Sequence, residues 1–141
     1  MEINRTMNTL QVKIGNVTIG GDRHIVVQTM CNTHTSDVEA SFEQCVRLHK
    51  AGAEMIRLTV PSLAQVDSIK EVRSRLRAEG IDTPLVADVH FSSDIAIAVA
   101  EVVEKVRINP GNFHKDHEKA REQFARLVEV CKANGTAIRI G

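Results

Sequence analysis

The sequence predicts an α/β fold of about five parallel strands and four helices, preceded by a β-hairpin. Three observations carry this. Short apolar runs alternate with amphipathic stretches of helical period from residue 24 to residue 141. The runs start at intervals of about 20 to 32 residues, the repeat of βαβ units. Each of the first four runs is followed by loop and helix rather than a tight turn, so successive strands run parallel through right-handed crossovers.

The elements follow in order. "QVKIGNVTIGGD" alternates apolar and polar residues around Gly15-Asn16, a dipeptide suited to a two-residue hairpin turn. The strands are expected at "HIVVQTM" (24–30), "EMIRLTV" (54–60), "PLVADVH" (84–90), "KVRIN" (105–109) and "AIRIG" (137–141). The first helix covers about 37–50, with Val38, Phe42, Cys45, Val46 and His49 on one face, and stops at Gly52. The second starts after Pro61 with Ser62 as N-cap and ends at Gly80. It turns Leu63, Val66, Ile69, Val72 and Leu76 inward and its Lys and Arg residues to solvent. The third, from Ser92 or Ser93 to about Val103, is apolar enough to be mostly covered. The fourth runs from about Lys115 to Asn134, with Gly135 as its stop.

Two closures suit this order: an open doubly wound sheet or part of a (β/α)8 barrel. No G-x-G-x-x-G follows the first strand, which removes the main support for a nucleotide-binding open sheet. A complete barrel takes roughly 250 residues, and this chain has 141. Residues 1–10 read as an N-terminal tail and 11–141 as one partial barrel domain.

Composition narrows the function. With 18 basic and 18 acidic residues the net charge is zero, so no global field draws nucleic acid or an anionic membrane. Tyr and Trp are absent, leaving no aromatic platform for bases. No apolar run approaches the roughly 18 residues that span a bilayer, and "MEINRTMNTL" lacks the apolar core of a signal peptide. Cys31, Cys45 and Cys131 match neither a disulfide framework nor a C-x-x-C metal site, so a cytoplasmic location is expected.

Three strands repeat one formula. "IRLT" has Arg57 then Thr59, "VRIN" has Arg107 then Asn109, and "IRIG" has Arg139 then Gly141; "VADVH" puts Asp88 and His90 in the same phase. Side chains alternate along a strand, so these residues share the face turned away from the helices. Three guanidiniums on one face repel, and one Asp88 does not neutralise them all. Arginine grips phosphate oxygens in bidentate fashion, so a phosphorylated or diphosphate ligand is expected among them.

"VQTMCNTHTSDVEA", "AGAEMIRLTVP", "PLVADVHF" and "VRINPGN" with "IRIG" resemble the N-terminal part of the 4-hydroxy-3-methylbut-2-enyl-diphosphate synthase family of the non-mevalonate isoprenoid pathway. The resemblance runs from about Val12 to the last residue. It implies the N-terminal part of a TIM (β/α)8 barrel and an oxidoreductase that reductively opens 2-C-methyl-D-erythritol 2,4-cyclodiphosphate. It further implies a 4Fe-4S cluster held by a separate domain, flavodoxin or ferredoxin as electron donor, and a homodimer. By motif, Arg57, His90, Arg107 and Arg139 match diphosphate-binding positions, and Asp88 and Asn109 match polar residues of the same barrel mouth. Because the chain stops at "AIRIG", the cluster ligands are expected outside it. The chain alone is expected to be inactive, and to self-associate through its open strand edges.

Two other readings stand beside this one: a pterin-binding transferase barrel of the dihydropteroate synthase type, and a structural fragment without ligand. No catalytic residue and no metal ligand is assigned. Cys45 and Cys131 read as core thiols, Cys31 lies in a site-facing loop, and His114 and His117 in "HKDHE" read as a solvated helix entry rather than a metal pair.

Overall fold

The computed structural model describes residues 9–21 and 24–141, so most of the expected N-terminal tail lies outside the described residues. The element order is β1 (Val12–Ile14), β2 (Val17–Ile19), β3 (Gln28–Met30), α1 (Val38–Lys50), β4 (Met55–Thr59), α2 (Ala64–Ala78), β5 (Leu85–Val89), α3 (Ser93–Ala100), β6 (Lys105–Ile108), a 3-10 turn (Pro110–Asn112), α4 (His117–Asn134) and β7 (Ala137–Ile140). β1 and β2 pair antiparallel, while β3-β4-β5-β6-β7 form one parallel sheet in sequence order. Sequential order with a helix in each crossover, and no strand reversal, is that of consecutive barrel strands.

The two faces of the sheet are chemically distinct because side chains alternate. Ile56, Leu58, Leu85, Ala87, Val106 and Ile108 pack under the helices with Ile69, Val72, Leu76 and Leu127. On the other face Met55 and Val86 form a second cluster with Ile14 of the hairpin, flanked by Val17, Ile19, Val26 and Ala137. The turn at Gly15 abuts Pro84 and Glu104, at the N-terminal ends of β5 and β6. The hairpin therefore fills the base of this face, and the strand C-terminal ends above it are left for polar residues.

Several boundaries differ from expectation. The first strand of the large sheet is shorter than 24–30, because the Val27 amide donates to Glu54 Oε2 at 2.8 Å, and Ile25 and Val27 stay exposed. α2 is capped at Leu63, not Ser62, without a side-chain cap bond; Leu63 is exposed, and the Ser62 hydroxyl turns to Gln65 Oε1 instead. α3 ends at Ala100 rather than Val103, where Thr136 Oγ1 donates to the Ala100 carbonyl at 2.6 Å. α4 starts at His117 because the Asp116 carboxylate accepts from the Glu118 and Lys119 amides, and it ends at Gly135, whose φ of 68° is the left-handed region glycine favours.

The basic face of α2 is only partly solvated. Arg73 and Arg77 both donate to Glu104 Oε1, at 2.8 to 2.9 Å, while Glu104 Oε2 accepts the Leu85 amide. This buttress ties α2 to the start of β5 and to the turn before β6. No helix among the described residues is long and apolar enough to cross a membrane.

Candidate functional site

Strand register assembles the expected residues. Thr59 pairs with Asp88, Asp88 with Arg107, and Arg107 with Arg139, which places all four side by side on the face away from the helices. Asp88 is the hub, with its side chain 1% exposed. Its Oδ2 accepts from Arg57 Nε at 3.0 Å and from Arg57 Nη2, and its Oδ1 accepts from Arg107 Nη1 at 3.2 Å. His90, half-exposed at the end of the strand, has Nε2 3.2 Å from Asp88 Oδ2, and its Nδ1 accepts from Arg107 Nη1 at 3.3 Å. One buried carboxylate thus orients two guanidiniums and an imidazole, all of which keep some exposure.

Arg139 stands apart. It is exposed, and among the described residues no hydrogen bond or ion pair engages its side chain. The expectation that Asp88 does not neutralise all three arginines is met in this form: two are tethered and one is not. Gly141, in phase with Arg139, explains the end of "IRIG". A Cβ there would lie 2.7 Å from Arg107 Nε, so a larger residue would make the Arg107 side chain shift.

Asn109 lies just past β6, and its Oδ1 accepts from the Gly111 amide at 3.1 Å, closing the "NPGN" turn. This uses its carbonyl and leaves its NH2 group as a donor at the mouth. The β3–α1 loop is pinned beside the site. The Cys31 amide donates to the Arg57 carbonyl at 2.8 Å, Thr35 Oγ1 to the Thr59 carbonyl at 2.6 Å, and the Asn32 and Thr33 amides to Gln44 Oε1.

The cysteines are all buried. Cys31 and Cys45 lie with their sulfurs 3.7 Å apart. The Cys45 thiol hydrogen bond holds the Cys31 thiol below its ordinary range, and the same contact together with burial pushes Cys45 up. Cys131 sits on α4, where burial raises its thiol. His114 and His117 flank the Asp116 cap. No group of three or more His, Cys, Asp or Glu among the described residues converges to hold a metal. This donor set does not fit an iron-sulfur cluster, which needs four converging ligands.

The sequence has counterparts among known proteins. Residues 9–141 match the GcpE TIM-barrel domain. The chain belongs to the GcpE family. Curated relatives include 4-hydroxy-3-methylbut-2-en-1-yl diphosphate synthase (flavodoxin) of Chlorobaculum tepidum, 44% identical over 94% of this chain and 20% of the relative. The protein of the same name from Leptospira interrogans is 42% identical over 94% of the chain and 22% of its own length. That from Lysinibacillus sphaericus is 41% identical over 99% of the chain and 35% of its own length. The chain thus spans 20% to 35% of the length of these GcpE relatives. Family membership assigns the parallel sheet to a TIM barrel and sets aside both the open doubly wound sheet and the pterin-binding barrel.

One charged residue of this face escaped the sequence reading. Lys105, at the start of β6, is buried in the same phase as Arg107. The signal was present as Lys-x-Arg-x-Asn, but a lysine at a strand start reads as an exposed end.

Proposed function

We propose that this chain forms the diphosphate-holding part of the barrel in a 4-hydroxy-3-methylbut-2-en-1-yl diphosphate synthase. Its substrate in this reading is 2-C-methyl-D-erythritol 2,4-cyclodiphosphate, opened reductively within the complete enzyme. The observation that carries the reading is the Asp88-centred cluster: Arg57 and Arg107 oriented by one buried carboxylate, with Arg139 beside them in register. Guanidiniums held in advance bind a phosphate oxygen with less loss of side-chain freedom.

Roles follow from position. Arg57, Arg107 and Arg139 neutralise the diphosphate, with His90 and the Asn109 amide donating at the mouth. Asp88 acts on the ligand through the arginines it orients. Flavodoxin, as the relatives' names print it, or ferredoxin would supply the two electrons, and a 4Fe-4S cluster relaying them would be held by ligands other than these cysteines. In this reading the working assembly is a homodimer, as the family resemblance implies.

Titration calorimetry with the cyclic diphosphate tests this reading. A charge-assisted hydrogen bond is worth about 1.5 to 3 kcal/mol, so Arg107→Leu should weaken binding by roughly 10-fold to more than 100-fold. Its melting temperature should change little, since Asp88 retains Arg57 and His90. Unchanged affinity with a sharply lower melting temperature would make Arg107 a scaffold residue and sink the proposal.

A further inference from the structure

Lys105 is anomalous on physical grounds. Only 6% of it is exposed, yet lysine is almost never buried without a partner. It pairs in register with Val86 and Ala137, both part of the apolar layer over the hairpin. Its stem therefore crosses that layer two residues below Arg107, on the same face. Among the described residues no hydrogen bond or ion pair engages its ammonium. Both Asp88 oxygens are already taken by Arg57 and Arg107.

The ammonium is buried but not sealed. Gln123 Oε1 is the one fully covered side-chain nitrogen or oxygen without a partner among the described residues. Among the described residues Lys105 Nζ also lacks a partner, so it keeps some exposure, and strand alternation puts its stem on the face that carries the arginines. Burial first, then the positive charges of Arg139 and Arg57, holds the ammonium below the usual lysine range.

We infer that Lys105 is a fourth anion-binding residue of this site, reaching a phosphate oxygen of the diphosphate from beneath the arginines. The inference rests on the diphosphate reading above and adds a ligand contact to it. Without an anion, the fold holds a covered cation beside guanidiniums and no free carboxylate. A diphosphate entering over Arg57 and Arg139 supplies the missing counter-charge. An ammonium suits this place because it is a compact point charge on a flexible stem, able to meet an oxygen that planar guanidiniums approach from the rim.

Inorganic pyrophosphate is the probe, titrated calorimetrically into the purified protein and its Lys105→Met, Lys105→Arg and Arg107→Leu variants. Methionine keeps the apolar stem and drops the charge, so Lys105→Met should bind at least about tenfold more weakly. Its melting temperature without ligand should be unchanged or higher, whereas a structural lysine would lower it. Lys105→Arg should recover most of the affinity. Wild-type affinity in Lys105→Met alongside weakened Arg107→Leu would overturn the Lys105 contact while leaving the diphosphate reading intact. A drop in melting temperature in Lys105→Met would assign the residue to the scaffold and overturn the contact likewise. Failure of the wild-type protein to bind pyrophosphate would overturn both.

Discussion

Replacing Asp88 by Asn probes the hub directly. Three arginine N–H groups donate to this carboxylate, which is 1% exposed, while the side chains of Arg57 and Arg107 are 20% and 15% exposed. Removing one partner of a buried ion pair costs about 3 to 5 kcal/mol. The partial exposure of both arginines puts Asp88→Asn at the lower end, about 3 kcal/mol. For a chain of this size that corresponds to roughly 10 °C in melting temperature. The substitution also raises the formal charge of the arginine face by one. At an effective dielectric constant of about 20, a carboxylate roughly 6 Å from a phosphate oxygen repels it by about 3 kcal/mol. Loosening two tethered arginines costs about 0.5 to 1.5 kcal/mol each, so lost repulsion is at least equal to lost order. Pyrophosphate should therefore restore more stability to Asp88→Asn than it adds to the wild type. Scanning calorimetry with and without pyrophosphate, at one ionic strength, reads both effects. Wild-type stability in the variant, or a smaller gain on adding pyrophosphate, would refute this reasoning.

Two further expectations concern the scaffold. Ile14 is 1% exposed beneath Met55 and Val86, so Ile14→Ala should cost about 2 to 5 kcal/mol by urea unfolding; a loss below about 1 kcal/mol would mean the hairpin does not fill the base. Glu54 is held below the usual glutamate range by the Val27 amide first and by His24 second. A depressed folded value means that its stabilisation is present above the ordinary carboxylate range and is lost as pH falls through the folded value. The stability gap between wild type and Glu54→Gln should accordingly exist at neutral pH and close in acid. A gap constant down the whole carboxylate range would contradict it.

Much of this was legible because local chemistry repeats. The strand starts at Met55, Leu85, Lys105 and Ala137 fall within one residue of the apolar runs. Parallel strands leave a two-residue alternation that no side chain escapes, which is why the phase of Arg57, Asp88, Arg107 and Arg139 was readable in advance. The misses came where a distant group outcompetes local pattern. Glu54 captures the Val27 amide and shortens β3, and Thr136 ends α3 early. Glu104 draws Arg73 and Arg77 out of what looked like a solvated face.

By itself the sequence determined the order of strands and helices, the phase of the four strands that carry Arg57, Asp88, Arg107 and Arg139, and hence which residues share the arginine face. Periodicity is a property of consecutive residues, and it needs no knowledge of neighbours. Only the tertiary structure decided how charge is shared across that face: Asp88 tethering Arg57 and Arg107, Arg139 left exposed, Gly141 making room, and Lys105 covered. Those outcomes depend on which strand lies beside which, and on a hairpin more than 80 residues earlier in the chain that fills the base beneath Lys105. Coulomb energy and desolvation follow distance in space rather than in sequence.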